Sequence, residues 1–218
     1  MLKKTSENEL NGLMERYPAL LPLRDRITEC VMLLKGCYET GGKLLVCGNG
    51  GSAADSLHIV GELTKSFSRQ RPIAPKVLSA LEALYPEEAA YYTQRLEGAI
   101  PAISLVSETS LLTAFSNDAD AELGFAQQVM GYGKSEDVLL CISTSGNSAN
   151  VLHAARVARA MGLPVISMTG QSGGKLAALS DILLNVPAEI THHVQELHLP
   201  VYHSICQLLE TEIFGSEE

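Results

Sequence analysis

Five short apolar runs constrain what this chain can fold into: KLLVCG (43–48), AISLVS (102–107), DVLLCIS (137–143), PVISMTG (164–170) and ILLNVP (182–187). Each is continuous rather than alternating, and each gives way to Gly, Ser, Thr or Pro. Strands of this kind are covered on both faces, and helical patterns separate most of them, so the chain reads as a parallel sheet with helices packed on either side. The fold class is α/β, doubly wound, with the strand order 2-1-3-4-5 expected.

At 218 residues and 46% hydrophobic content the chain can bury a substantial core, and the simplest division is a helical extension over residues 1–40 and a sheet domain over 41–218. In the extension, Leu20, Leu23, Ile27, Val31 and Leu34 recur at helical spacing, with Pro18 and Pro22 dividing it into two pieces. The last segment repeats the pattern through Val194, Leu197, Val201, Ile205 and Leu208. The N-terminal helix is expected to pack on the sheet domain or on another subunit, and both ends read as oligomer material. An insertion at about 75–100 reads as a helical hairpin, one helix carrying Leu78, Leu81 and Leu84 and a second running from Pro86 to Gly98. The start MLKKTSENELNG shows no leader, and no stretch approaches the roughly 20 apolar residues of a membrane span, so a cytoplasmic protein is expected. Five cysteines without a CxxC spacing suit a reducing compartment, with Cys47 and Cys141 as core residues. A net charge of −9 argues against nucleic acid as a partner. A local excess of cations at Lys65, Arg69 and Arg71 reads equally as a solvated helix end or as help for an anion.

The stretch VCGNGGSAADSLHIVGE (46–62) places a glycine cluster between the first run and a helix. Gly48, Gly50 and Gly51 let backbone N–H groups approach a ligand at a helix N-terminus, with Asn49 among them. Ser52 is expected as the N-cap, with Asp55 completing a capping box. A second loop, ISTSGNSANV (142–151), follows the third run and offers Ser143, Thr144, Ser145 and Ser148 around Gly146. In a 2-1-3-4-5 sheet both loops fall at the switch point, where ligands bind. Hydroxyls and two helix N-termini suit a phosphomonoester; no Walker lysine and no GxGxxG is present, which disfavours a nucleotide.

GNGGSAADSLH paired with ISTSGNSANV and followed by SMTGQSGGKLA resembles the sugar isomerase (SIS) domain family, and within it the phosphoheptose isomerase group. The resemblance runs from about Leu44 to Leu209 apart from the hairpin. It implies that Asn49, Gly50, Gly51, Ser52, Ser143, Thr144, Ser145 and Ser148 hold a sugar phosphate, and that Glu108, Asn117 and Asp118 lie near the sugar, Glu108 standing where the group has an aspartate. His58, Glu62, Gln195 and His203 match a set that surrounds the substrate and can bind zinc. The implied assembly is a homotetramer with active sites between subunits and the N- and C-terminal helices in its central bundle. The implied reaction is sedoheptulose 7-phosphate to an aldose heptose 7-phosphate, for lipopolysaccharide heptose synthesis.

His58 and Glu62 share one helix face at i, i+4. An aldose–ketose exchange moves a proton between C1 and C2 through an enediol, so Glu62 is the expected base and His203 the expected acid, with Gln195 on the substrate. A carboxylate bound tightly to zinc is a poorer base, so metal ligation is expected to be transient or to mark a resting state. Gln195 and His203 are separated by about 12 Å of helix rise, with Pro200 between them expected to bend it. His192, His193 and His198 read as surface or interface residues. Near Lys65 and Ser66, where the group carries an arginine, the basic role falls to Lys65 or Arg69. Two other readings stay open. One is a non-catalytic module that binds a phosphosugar or a replication initiator, which retention of all four residues disfavours; the other is an isomerase of a different ketose phosphate selected by the hairpin.

Overall fold

The computed structural model describes residues 2–216. In chain order the elements are α1 (Lys4–Arg16), a 3-10 turn (Pro18–Leu23), α2 (Arg24–Glu39), β1 (Leu44–Gly48), α3 (Gly51–Thr64), α4 (Pro75–Leu84), α5 (Ala89–Thr93), β2 (Ala102–Ser104), α6 (Thr109–Phe115), α7 (Gly124–Tyr132), β3 (Val138–Ile142), α8 (Ala149–Ala160), β4 (Val165–Thr169), β5 (Ile182–Asn185) and α9 (Thr191–Phe214). All five apolar runs become strands of one parallel sheet in the order β2-β1-β3-β4-β5.

Side chains alternate across each strand and divide the core into two layers. Leu44, Val46, Leu140, Ile142, Ile166 and Met168 face α1, α2, α3 and α9. Leu45, Cys47, Leu139, Cys141 and Val165 face α7 and α8. The two cysteines are buried neighbours in register, with sulfurs 3.9 Å apart. Leu10, Leu20, Ile27 and Val31 from the N-terminal helices enter the first layer beside Val201, Ile205 and Leu208 of α9. The apolar stripes at both ends of the chain are thus buried within its own core.

The hairpin differs from expectation in its second arm. Pro86 lies in a turn, and α5 runs only from Ala89 to Thr93, well short of Gly98. The chain leaves the helix there because Gly98 donates its N–H to Arg71 O (3.0 Å), which ties the end of the insertion to the segment that begins it. α4 buries none of its residues, and Val77, Leu84 and Tyr85 remain exposed. The tail GSEE (215–218) is expected from its composition to fray; its residues Glu217 and Glu218 lie outside the described residues.

Candidate active site

Cys47 pairs with Cys141 and Gly48 with Ile142, so β1 and β3 end side by side and deliver their loops to the same edge of the sheet. Asn49 and Asn150 lock the two loops together through reciprocal amide bonds, Nδ2 to Oδ1 at 2.8 and 2.9 Å. Within the second loop, Ser143 Oγ and Ser148 Oγ lie 3.0 Å apart, the Asn147 N–H donates to Ser145 Oγ (3.2 Å), and Thr144 O accepts from Gly170 N (2.9 Å). Ser145 is exposed at the tip, while Ser143 is buried.

The first turn of α3 departs from the expected cap. Gly50, at φ +57°, is the N-cap, and Ser52 sits inside the helix, 3% exposed, with its N–H on Asn49 O. The positive φ is what reverses the chain here, and glycine adopts it at little cost. Gly51 packs against Gln195 of α9: a Cβ there would lie 2.5 Å from Gln195 Nε2, so that amide would have to shift. Asp55 closes no capping box and instead points toward α9.

Gln195 of α9 lies against Gly51 of α3, and His203 lies against His58. The contacts advance together along both helices, by seven residues on one and eight on the other, so α3 and α9 run parallel. α9 continues helical through Pro200. The acceptor that this proline leaves without a helical donor belongs to Glu196, an exposed residue.

Three of the four residues of the expected set come together. His58 Nε2 is 3.2 Å from Glu62 Oε1 and 3.5 Å from His203 Nε2. Lys65 Nζ donates to Glu62 Oε2 at 3.2 Å, so of the two basic candidates Lys65 is the one at the site; Arg69 is engaged with Glu9 and Thr211. Burial, followed by the neighbouring His58, lowers the pKa of His203, with Glu62 opposing, so the ring is neutral at neutral pH. Gln195 stays about 12 Å away along the helix axis.

Tyr202 and Asp55 complete the cluster, and neither was anticipated in it. The Tyr202 hydroxyl is 3.0 Å from His58 Nδ1 and donates to Asp55 Oδ1 at 3.4 Å. Burial raises the Asp55 pKa, against hydrogen bonding from Tyr202 and the proximity of His58. The sequence held one signal for them: Asp55 precedes His58 by one helical turn, and Tyr202 adjoins His203.

Other expected residues lie elsewhere. Glu108 is exposed at the N-cap of α6. Asn117 and Asp118 occupy an exposed π-helical turn, bonded to one another at 2.8 Å. Among the described residues none of these three makes a side-chain hydrogen bond to the loops or to the cluster. His192 and His193 are exposed, but His198 is buried, with Nε2 3.2 Å from Thr169 O, because its face of α9 packs on the end of β4. Arg71 is neither solvated nor available to an anion: it is fully buried on Glu210 Oε1 (2.7 Å), Leu63 O (2.6 Å) and Glu62 O (2.9 Å).

A family model described as "SIS domain" matches residues 8–104 and 94–170. The chain belongs to the SIS domain family, in its phosphoheptose isomerase group. It is 39% identical to the phosphoheptose isomerase of Thiobacillus denitrificans over 90% of this chain and 88% of that one. It is 33% identical to the phosphoheptose isomerase of Akkermansia muciniphila over 95% and 96%. The solved structure of phosphoheptose isomerase GmhA from Neisseria gonorrhoeae matches with a TM-score of 0.71 at 33% identity, covering 95% of this chain and 94% of that one. His58 and Glu62 lie on α3, the helix that opens at the glycine loop, and His203 lies on α9.

The donors fit a zinc ion in type. The spacings around His58 Nε2 also fit, since two donors on a tetrahedral zinc at ~2.0–2.1 Å lie about 3.3 Å apart. The set is knitted by its own hydrogen bonds, and among the described residues no group of three or more His, Cys, Asp and Glu forms a ready metal site.

Proposed function

We propose that this SIS-family isomerase interconverts sedoheptulose 7-phosphate and an aldose heptose 7-phosphate through an enediol, with the phosphate in the two loops and the proton transfers at the α3–α9 cluster. The observation that carries this reading is the convergence of Glu62 (3.2 Å) and, from α9, His203 (3.5 Å) on Nε2 of His58, which lies on the helix that starts at the glycine loop. Ser145 and Ser148, with the amides that open α3 and α8, bind the phosphate. Glu62 takes the proton from C1 of the ketose, the C–H electron pair becomes the C1=C2 bond, and the carbonyl oxygen at C2 receives a proton from the neutral ring of His203. In the return half, the hydroxyl on C1 gives its proton back to the His203 ring as C1=O forms, and Glu62 returns a proton to C2.

His58, Glu62 and His203 would hold a zinc ion, and Gln195 would join them only by leaving Gly51. Bound there, the ion would supply Lewis-acid polarisation of the sugar oxygens. Supporting a homotetramer are Leu57 on α3 and Leu199 on α9, large apolar side chains left exposed beside the cluster. No described helix is long and apolar enough to cross a membrane. The proposed setting is the cytoplasm, in heptose synthesis for lipopolysaccharide.

The test is incubation of the purified protein with sedoheptulose 7-phosphate in deuterated water, with and without added zinc, followed by NMR. Aldose carrying deuterium at C2 is the expected product. Tight phosphosugar binding without turnover in either condition would overturn the catalytic reading.

A further inference from the structure

The reaction above makes no use of the Tyr202 phenol. Its ring is 2% exposed, and its hydroxyl bridges Asp55 Oδ1 (3.4 Å) and His58 Nδ1 (3.0 Å). The second oxygen of Asp55 is buried with no hydrogen-bond partner among the described residues. An ionised carboxylate can only accept. The phenolic proton is therefore committed to Asp55, and the phenol turns only lone pairs toward His58.

We propose that Tyr202, backed by Asp55, is a positioning residue that fixes His58 with its proton on Nδ1 and aims the bare Nε2 at Glu62 and His203. The consequences run through the cluster. A bare His58 Nε2 accepts from His203 Nε2 at 3.5 Å, which places the His203 proton on the nitrogen that faces the site. It also donates nothing to Glu62 Oε1, 3.2 Å away, so that oxygen keeps its lone pairs for a proton on carbon. Were His58 protonated on Nε2 instead, it would bond to Glu62 and compete with the substrate for the base. A fixed proton on the far nitrogen of an imidazole is also what leaves the near one free to donate an electron pair to a metal. The inference rests on reading this cluster as the reaction centre.

The test separates the two ideas by using a readout that needs no substrate. NMR of protein with 15N-labelled histidine, free of metal and substrate, reports which ring nitrogen of His58 carries the proton. Wild type is expected to show Nδ1–H. Tyr202→Phe keeps the ring and removes the bridge, so His58 is expected to move toward Nε2–H. The kcat for sedoheptulose 7-phosphate should fall about 10–100-fold, the range typical for loss of a partner that orients such a histidine, with KM little changed. Asp55→Asn is an independent second variant, because its amide can donate to the phenol and reverse the relay. It should shift the same tautomer, and the double variant should be no worse than the single ones. The proposal is overturned if His58 in wild type carries its proton on Nε2. Equally, it fails if both variants leave tautomer and kcat unchanged, or lose activity only in step with thermal stability. If wild type turns over no phosphoheptose, the function is wrong, and the tautomer of His58 still decides the role of Tyr202.

Discussion

The α3–α9 contact holds two polar clusters of opposite character. At its C-terminal end, Glu210 accepts from the N–H groups of Phe67, Ser68 and Arg69, from Ser68 Oγ and from Arg71 Nε, at 2.7–3.0 Å, with carboxylate and guanidinium both fully buried. Burial by itself would raise the Glu210 pKa, but these donors outweigh it and hold the carboxyl below its ordinary range. Nearer the glycine loop, Asp55 leaves one oxygen unpaired, and His58, with 42% of its side chain exposed, shares its nitrogen between two neighbours. A saturated cluster has nothing to offer a ligand and serves to fix the segment between α3 and the hairpin. An unsaturated one is poised to exchange partners, as a reaction requires.

The sharpest way to break this comparison is Glu62→Gln. It should lower kcat by at least about 10²–10⁴-fold, the contribution of a general base, while phosphosugar affinity stays within a few fold by calorimetry. Loss of binding with unchanged turnover of bound substrate would remove Glu62 from its role. Arg71→Met addresses the saturated end. Removing one partner of a buried ion pair costs roughly 3–5 kcal/mol, so urea unfolding should show a loss of that order, with kcat of the folded protein falling far less than in Glu62→Gln. A loss under about 1 kcal/mol would mean that the backbone donors alone satisfy Glu210.

His198 lies on α9 between the cradle end and the cluster, and it supplies a pH-dependent effect on stability. Burial lowers its pKa from 6.5 to about 4, against the bond to Thr169 O. The unfolded chain therefore binds a proton between these values that the folded chain refuses, so stability is full above about pH 6.5 and falls as the pH drops toward 4. Between pH 7.5 and 5 this amounts to about 2 kcal/mol at ~1.36 kcal/mol per pKa unit. Denaturant unfolding at the two pH values should show that loss in wild type and less of it in His198→Gln; equal slopes in the two proteins would place the acid sensitivity elsewhere.

These clusters differ in how legible they are in the sequence. The sheet was readable because five continuous apolar runs leave few alternatives, and its order then brought the two loops together. His58 and Glu62 were readable as an i, i+4 pair on one helix. Arg71, Glu210, Asp55 and Tyr202 were not, because their roles depend on how α9 lies across α3, and no local spacing encodes that parallel register. Reading Arg71 as a solvated cation or as a partner for an anion followed from its neighbours along the chain, whereas its partner is 139 residues away. The second arm of the hairpin was misplaced for a related reason: Pro86 is acceptable both in a turn and at a helix start, and the tie between Gly98 and Arg71 decides the path.

The cradle is the third region to set beside the two clusters, and it should respond in binding rather than in turnover or stability. Ser145 is exposed at the loop tip, and among the described residues its hydroxyl accepts only from the neighbouring Asn147 N–H. That leaves its own proton free for a phosphate oxygen. A hydrogen bond to a charged group contributes about 1.5 kcal/mol at the low end of its range, so Ser145→Ala should weaken phosphosugar binding about tenfold by calorimetry. The unfolding midpoint should hardly move, since no buried group loses a partner, and kcat at saturating substrate should hold. A fall in kcat with unchanged affinity would mean that the loop acts on the sugar rather than on its phosphate, and the division between a binding loop and a reacting helix pair would have to be redrawn.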